Sequence, residues 1–166
     1  MIICLINFIG AAILVVLLNQ CIAPIHLPAS RIDSSPRLKE ILTWRDKGSV
    51  YSQARQFDGF EYRETLTKAS LGDSKALGSL FEYTKNGSQM GEGAETHIEV
   101  LGELLRQWGD TQYGRVLNEQ PTEVIRSVAQ TLNEFWGYAG WPRSKYPITQ
   151  RLCTRSSQEA ESGSRE

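Results

Sequence analysis

Apolar residues recur every three to four positions through most of the chain after residue 35, which is the spacing of one helix face. Seven segments show this pattern, and each ends at glycine, proline or a helix-capping residue. They begin near Pro36, Ser49, Tyr62, Asp73, Ala94, Asp110 and Thr122. No segment alternates apolar and polar residues as a half-buried strand would. The sequence therefore predicts an all-α domain of five to seven short helices over residues 36–150, with Val50, Ala54 and Phe57 facing inward from the second.

A short motif occurs twice within these helices. Leu71-Gly72-Asp73-Ser74-Lys75 resembles Trp108-Gly109-Asp110-Thr111-Gln112. A glycine that leaves one helix and an aspartate that caps the next would form a helical hairpin, so helical-hairpin repeats of the TPR or HEAT kind are one arrangement. Glycine followed by aspartate is also common between any two helices, so an orthogonal bundle is the other.

The N-terminus differs from the rest of the chain. Residues 1–18 are apolar apart from Asn7, and no residue before Arg31 is charged. Eighteen helical residues span roughly 27 Å, close to the thickness of a bilayer core. We therefore expect a hydrophobic helix within residues 1–21, a membrane anchor or signal segment that meets the membrane through residues 2–18. Residues 22–35 contain two prolines and form a linker.

Three fates remain open for this segment. An uncleaved anchor is favoured, because a cleaved signal would lack basic residues before its apolar core and would place Pro24 just after the cut. A lipoprotein would be lipidated on Cys21, although Asn19 and Gln20 replace the expected small residues. An apolar start followed by a small domain favours export to the cell envelope on the periplasmic side. Arg31 and the basic residues after it favour the rival, an anchor whose domain faces the cytoplasm.

Composition excludes several classes of function. Basic and acidic residues number 18 and 19, a balance that does not indicate nucleic acid binding. Cys4, Cys21 and Cys153 lack the spacing of metal ligands, so no metal or cofactor is expected. Cys21 and Cys153 could pair if the domain is exported. Residues 151–166 are rich in serine, glutamate and arginine and are predicted to form a disordered tail.

Two surfaces are candidates for contact with a protein partner. Glu92, Glu95, Glu99 and Glu103 share one stripe of the fifth helix, either a simple solvated face or a docking surface for a basic protein. Aromatic residues with an arginine, typical of contact surfaces, follow the seventh helix. They are Trp136, Tyr138, Trp141, Arg143 and Tyr146. Their rings could instead fold back over the core.

The histidines and the glycine-rich segment do not indicate a catalytic or phosphate-binding site. His97 is expected at the surface or at the edge of the core, and His26 lies in the linker. Residues 87–93 form a glycine-rich loop that is expected to be flexible and lacks the Lys-Ser/Thr ending of a phosphate-binding loop. The sequence thus favours a non-enzymatic, membrane-tethered or exported protein-binding module, in one version an inhibitor or immunity-type protein. The alternatives are a carboxylate-based envelope hydrolase using Glu92, Glu95 or His97, and a structural subunit of a membrane complex.

Overall fold

The computed structural model describes residues 35–44, 49–140 and 142–163. Within these ranges the chain is helical and contains no strand, which confirms the all-α class. The helices are α1 (Pro36–Thr43), α2 (Val50–Asp58), α3 (Tyr62–Ser70), α4 (Ser74–Asn86), α5 (Glu92–Asn118), α6 (Thr122–Ala139) and α7 (Pro147–Gly163). A single 3₁₀ turn, Arg143–Lys145, precedes α7.

Capping residues fix where several helices begin and end. Ser35 accepts a hydrogen bond from the Leu38 amide at 3.0 Å, and Pro36 occupies the first turn of α1. Asp73 caps α4 by accepting from the amides of Lys75 and Ala76 at 2.9 and 3.1 Å. These two helices begin where the sequence predicts, because each is capped by a residue that directly precedes it in sequence.

Helix α5 lies at the centre of the fold and packs against all six other helices. It approaches α6 closely at Gly102, where an added Cβ would lie 2.3 Å from the Phe135 ring. Glycine is required here because no side chain fits between the two helices. The buried residues of α1 to α7 form one hydrophobic cluster around α5.

Gly109 divides α5 into two helical parts joined at a kink. Its φ of 70° and ψ of 159° are not helical, so the break predicted between the fifth and sixth segments is present within α5. Asp110, however, does not cap the second part, because its carboxylate accepts from the Ile148 and Thr149 amides of α7 at 2.7 and 2.8 Å. The two Gly-Asp motifs therefore differ in use, since Asp73 caps the helix that directly follows it.

Most of helix α7 lies in residues 151–166, where the sequence predicts a disordered tail. Pro147 takes its first position, and the distant Asp110 provides the cap that the local sequence lacks. Leu152 and Cys153 are buried against the core, so packing of these apolar residues adds to the Asp110 cap in docking the helix.

The predicted membrane segment, Cys21, His26 and the predicted linker up to residue 34 lie outside the described residues, while Ser35, the last residue of that linker, caps α1. Among the helices that the structure does describe, none combines the length and the apolarity needed to cross a bilayer.

Candidate functional site

The loop between α4 and α5 is held in place by two side chains of α2. The Ser88 amide donates to both carboxylate oxygens of Asp58, at 3.1 and 3.0 Å. The Gln53 side chain pairs with the Met90 backbone in both directions, donating to its carbonyl at 3.1 Å and accepting from its amide at 3.3 Å. Gly91 then enters α5 with a φ of 51°, which favours glycine. The sequence predicts a flexible loop here. In the structure this loop is tied to α2 at two points, Asp58 and Gln53.

Asp58 also connects this loop to the core. The Tyr83 hydroxyl donates to its carboxylate at 3.1 Å. Burial alone would raise the pKa of Asp58, but the hydrogen bonds from Ser88 and Tyr83 outweigh burial and hold that pKa below its ordinary value. Burial and the neighbouring carboxylate raise the pKa of Tyr83. The carboxylate therefore stays ionised and the phenol stays protonated, which preserves the bond between them near neutral pH.

Two large apolar side chains project into solvent beside this anchored loop. Phe57 is 54% exposed and Met90 is 61% exposed. Phe57 lies one turn after Gln53 on the same face of α2. Because the Gln53 side chain is hydrogen-bonded to the Met90 backbone, the exposed side chains of Phe57 and Met90 belong to one region of the surface. The prediction that Phe57 faces inward is wrong. Helix α2 ends at the left-handed Gly59, and the partly buried Phe60 packs against the core instead, stacking on Tyr83 at 4.6 Å.

The acidic stripe of α5 is exposed only at its beginning. Glu92 and Glu95 are exposed, and neither forms an ion pair within the described residues. Glu99 is bound by the Arg37 guanidinium of α1 at 2.6 and 2.8 Å. Glu103 is buried, with Arg106 at 3.4 Å and its second oxygen unpaired. After the first helical turn the glutamates of the stripe are partly or fully covered by neighbouring residues. Because Glu103 is buried, it is not available as a docking residue.

His97 lies in the core rather than at the surface or its edge. Its Nδ1 is 2.6 Å from the Tyr62 hydroxyl and its Nε2 is 2.9 Å from the Thr84 hydroxyl. Thr84 donates its hydrogen to the Leu80 carbonyl at 3.0 Å, so we assign the proton of the ring to Nε2 and the Tyr62 hydroxyl as donor to Nδ1. Burial lowers the pKa of His97 to about 3. This histidine is neutral, fully hydrogen-bonded and removed from any substrate.

The aromatic segment after α6 is largely folded inward. Trp136 and Tyr146 are buried and belong to the hydrophobic cluster. Arg143 is exposed and lies over the Trp136 ring, 5.4 Å from its centre. Trp141 and the Tyr138 side chain lie outside the described residues. The structure therefore favours the alternative in which these rings cover the core, and it removes Trp136 and Tyr146 as docking residues.

The second half of the acidic stripe and the end of the aromatic segment are both removed from solvent. Glu103 and Tyr146 are buried. Burial raises the pKa of Tyr146, and the charges of Arg106, Glu103 and Asp110 on α5 also influence that pKa. Glu92 and Glu95 are the exposed part of the stripe.

The clefts of the described surface differ in the chemistry that lines them. A cleft of about 270 Å³ between α4 and the end of α5 has two carboxylates in its lining, Glu82 and Glu119, and both side chains are exposed to solvent. A cleft of about 230 Å³ between α6 and α7 is lined by Asn133, Trp136, Arg143, Gln150, Cys153, Thr154 and Gln158. No carboxylate or histidine is in that set, so it provides no acid–base pair. Burial raises the pKa of Cys153 to about 12, which keeps the thiol protonated. Within residues 35–44, 49–140 and 142–163, no three His, Cys, Asp or Glu side chains cluster as metal ligands would.

Sequence reasoning missed Phe57, Met90 and the two residues that anchor the loop, Gln53 and Asp58. Met90 did offer a signal, because it is the one large apolar residue in the polar, glycine-rich segment 87–93. The anchoring itself could not be read from the sequence, since Asp58 resembles an ordinary helix-end residue before Gly59. In comparisons with protein-family models, curated proteins and solved structures, no match to this chain was found.

Proposed function

We propose that this protein is a non-enzymatic helical module that binds a protein partner at the cell envelope. Its contact region is the Phe57–Met90 surface, which we define as Phe57, Met90, Glu92 and Glu95. An inhibitor or immunity-type protein, which blocks one enzyme or toxin by binding it, is the concrete form of this function.

The observation that carries the proposal is the exposure of two large apolar side chains on an anchored scaffold. Phe57 and Met90 are each more than half exposed, while most of the large apolar residues of the described helices are buried in one cluster. Exposing such groups together is unfavourable in water unless a partner covers them. Aromatic residues and methionine are also enriched in the contact regions of protein interfaces.

The enzymatic alternative has less support. A carboxylate-based hydrolase needs two carboxyl groups on facing walls of a cleft. Glu92 and Glu95 instead lie one turn apart at the exposed beginning of a single helix. His97 has both ring nitrogens engaged inside the core. A structural subunit of a membrane complex remains the other alternative, and it predicts that residues 2–18 pack against membrane helices of a partner.

The location of the module and its finer architecture belong to the same proposal. Tethering through residues 2–18, with lipidation of Cys21 as a variant, would hold the domain beside an envelope partner. A helical-hairpin origin is supported by the positive φ of both Gly72 and Gly109, at 94° and 70°. The exposed Leu71 and the buried Trp108 that precede them argue for divergence of the two motifs.

Site-specific photo-crosslinking tests the proposal. A photoreactive residue is placed at Met90 in the full-length chain, in cells that naturally make it, and at Leu71 as a control. Leu71 is 77% exposed on the turn between α3 and α4, away from the Phe57–Met90 surface. We expect one discrete protein adduct from position 90, and weaker binding of that partner to a purified Phe57→Ala/Met90→Ala chain. Equal adduct patterns at both positions would contradict the proposal.

A further inference from the structure

We infer that the partner presents to the Phe57–Met90 surface a positively charged segment that carries at least one large apolar side chain. This inference rests on the proposed function and specifies the chemistry of its partner. It follows from the apolar groups, the local charge and the rigidity of this part of the molecule.

The charges around the two apolar side chains are predominantly negative. Glu92 and Glu95 are exposed and have no ion pair within the described residues. Asp58 beneath the loop is held ionised by its hydrogen bonds. Arg55, the nearest cation on α2, is compensated by Glu61 at 3.4 Å. The described part of the surface therefore carries a net negative charge, which attracts a cationic partner and repels an anionic one.

This charge decides between classes of partner. Phosphate backbones and anionic lipid headgroups are both negative, so nucleic acid and an anionic bilayer would be repelled from the Phe57–Met90 surface. The apolar side chains require a complementary apolar group rather than a fully hydrated basic tail. A protein segment with lysine or arginine beside a leucine, methionine or aromatic residue satisfies both requirements.

The spacing of the two carboxylates adds geometry. Glu92 and Glu95 are three residues apart in the first turn of α5 and are therefore neighbours on its surface. Two basic side chains one helical turn apart on the partner would match them. Met90 lies just before them, and its flexible thioether side chain can adapt to the shape of the incoming apolar group.

A simpler role for these glutamates must be separated from docking. Acidic residues in the first turn of a helix stabilise it through the helix dipole. If that were their only role, neutralising them would lower the unfolding temperature slightly and leave partner binding unchanged. The two roles are therefore distinguished by measuring stability and affinity on the same variants.

The experiment uses the full-length chain and the partner captured at Met90, both purified. Affinity is measured by calorimetry at low and at physiological ionic strength for the natural chain and for Glu92→Gln/Glu95→Gln. A Glu82→Gln/Glu119→Gln chain is the matched control, because it removes the same charge from exposed positions elsewhere. We expect the first variant to bind about tenfold more weakly at low salt, to lose much of the salt dependence, and to keep its fold by circular dichroism.

The control variant should bind like the natural chain, and Glu92→Lys/Glu95→Lys should bind more weakly than the glutamine variant. Unchanged affinity in both Glu92/Glu95 variants would overturn the inference while the proposed function stands, provided that Phe57→Ala/Met90→Ala still weakens binding. An adduct with a second copy of this chain would also overturn it. Failure to capture any protein at Met90 would instead overturn the proposed function.

Discussion

The imidazole of His97 makes folding sensitive to acid. Both of its nitrogens are hydrogen-bonded in the core, and the rings of Tyr62 and Tyr83 pack edge-on against it at 5.6 and 5.5 Å. A proton added to this ring would have no acceptor, since Tyr62 already donates to Nδ1. The folded state therefore requires the neutral form of the ring.

We predict that stability falls on acidification below pH 6.5. The pKa of His97 is about 3 in the fold, against about 6.5 in an unfolded chain. Between these values the unfolded chain binds a proton that the folded chain does not, so the free energy of unfolding decreases by about 1.4 kcal/mol per pH unit. Above pH 6.5 the ring is neutral in both the folded and the unfolded chain, so this loss of stability is absent. Urea unfolding between pH 7 and 5 measures the slope.

The control is the second histidine of the chain. His97→Gln should flatten the slope between pH 6.5 and 5, whereas His26→Gln should leave it as in the natural chain. Identical slopes in the natural chain and in His97→Gln would show that other groups cause the acid sensitivity. Among single residues, the burial of His97 is the feature that the sequence predicts least well. Its neighbours Glu95 and Glu99 are charged and suggest a solvent-exposed position.

Among the helices, α7 depends on a residue far away in sequence. Asp110 accepts two hydrogen bonds from the amides of Ile148 and Thr149 and so takes the place of an N-cap residue. Sequence reasoning finds caps only next to the helix that they serve, which is why Asp73 was assigned correctly and Asp110 was not. The same limitation left α7 unpredicted, since its local sequence is polar and has no cap of its own.

We predict that Asp110→Ala lowers the free energy of unfolding by about 1–2 kcal/mol, the usual cost of losing a helix cap with partly buried amides. Hydrogen exchange should accelerate first in the amides of α7. Asp73→Ala is the matched comparison, with a similar cost but faster exchange in α4. Protection of α7 that survives in Asp110→Ala would mean that packing alone holds this helix.

For the molecule as a whole, the sequence predicts the all-α class, the starts of α1 to α4 and the break at Gly109. Local patterns decide these features. It does not predict which face is left exposed, because the burial of Glu103 and Trp136 depends on how helices that are distant in sequence pack together. Phe57 shows the same limitation, since its helical position fits the core while the chain turns away at Gly59.

We predict that a chain ending at Gln150, the end of the domain expected from sequence, is strongly destabilised. Such a truncation removes Leu152 and Cys153 from the core and exposes the faces of α5 and α6 that α7 covers. Burial of one leucine alone contributes about 2 kcal/mol, so a loss of at least that size is expected in urea unfolding. A chain ending at Gly163, which retains α7, is the control. Equal stability of the two chains would instead support the prediction that residues 151–166 form a disordered tail.

The anchoring of loop 87–91 has a thermodynamic consequence for any binding event. Fixing the backbone of one residue costs about 1–2 kcal/mol in conformational entropy, and the bonds to Asp58 and Gln53 meet this cost when the protein folds. A partner therefore meets a loop whose backbone is already ordered. Binding at Met90 should show a small entropic penalty and a negative heat-capacity change from apolar burial, rather than the large ordering signature of a disordered segment.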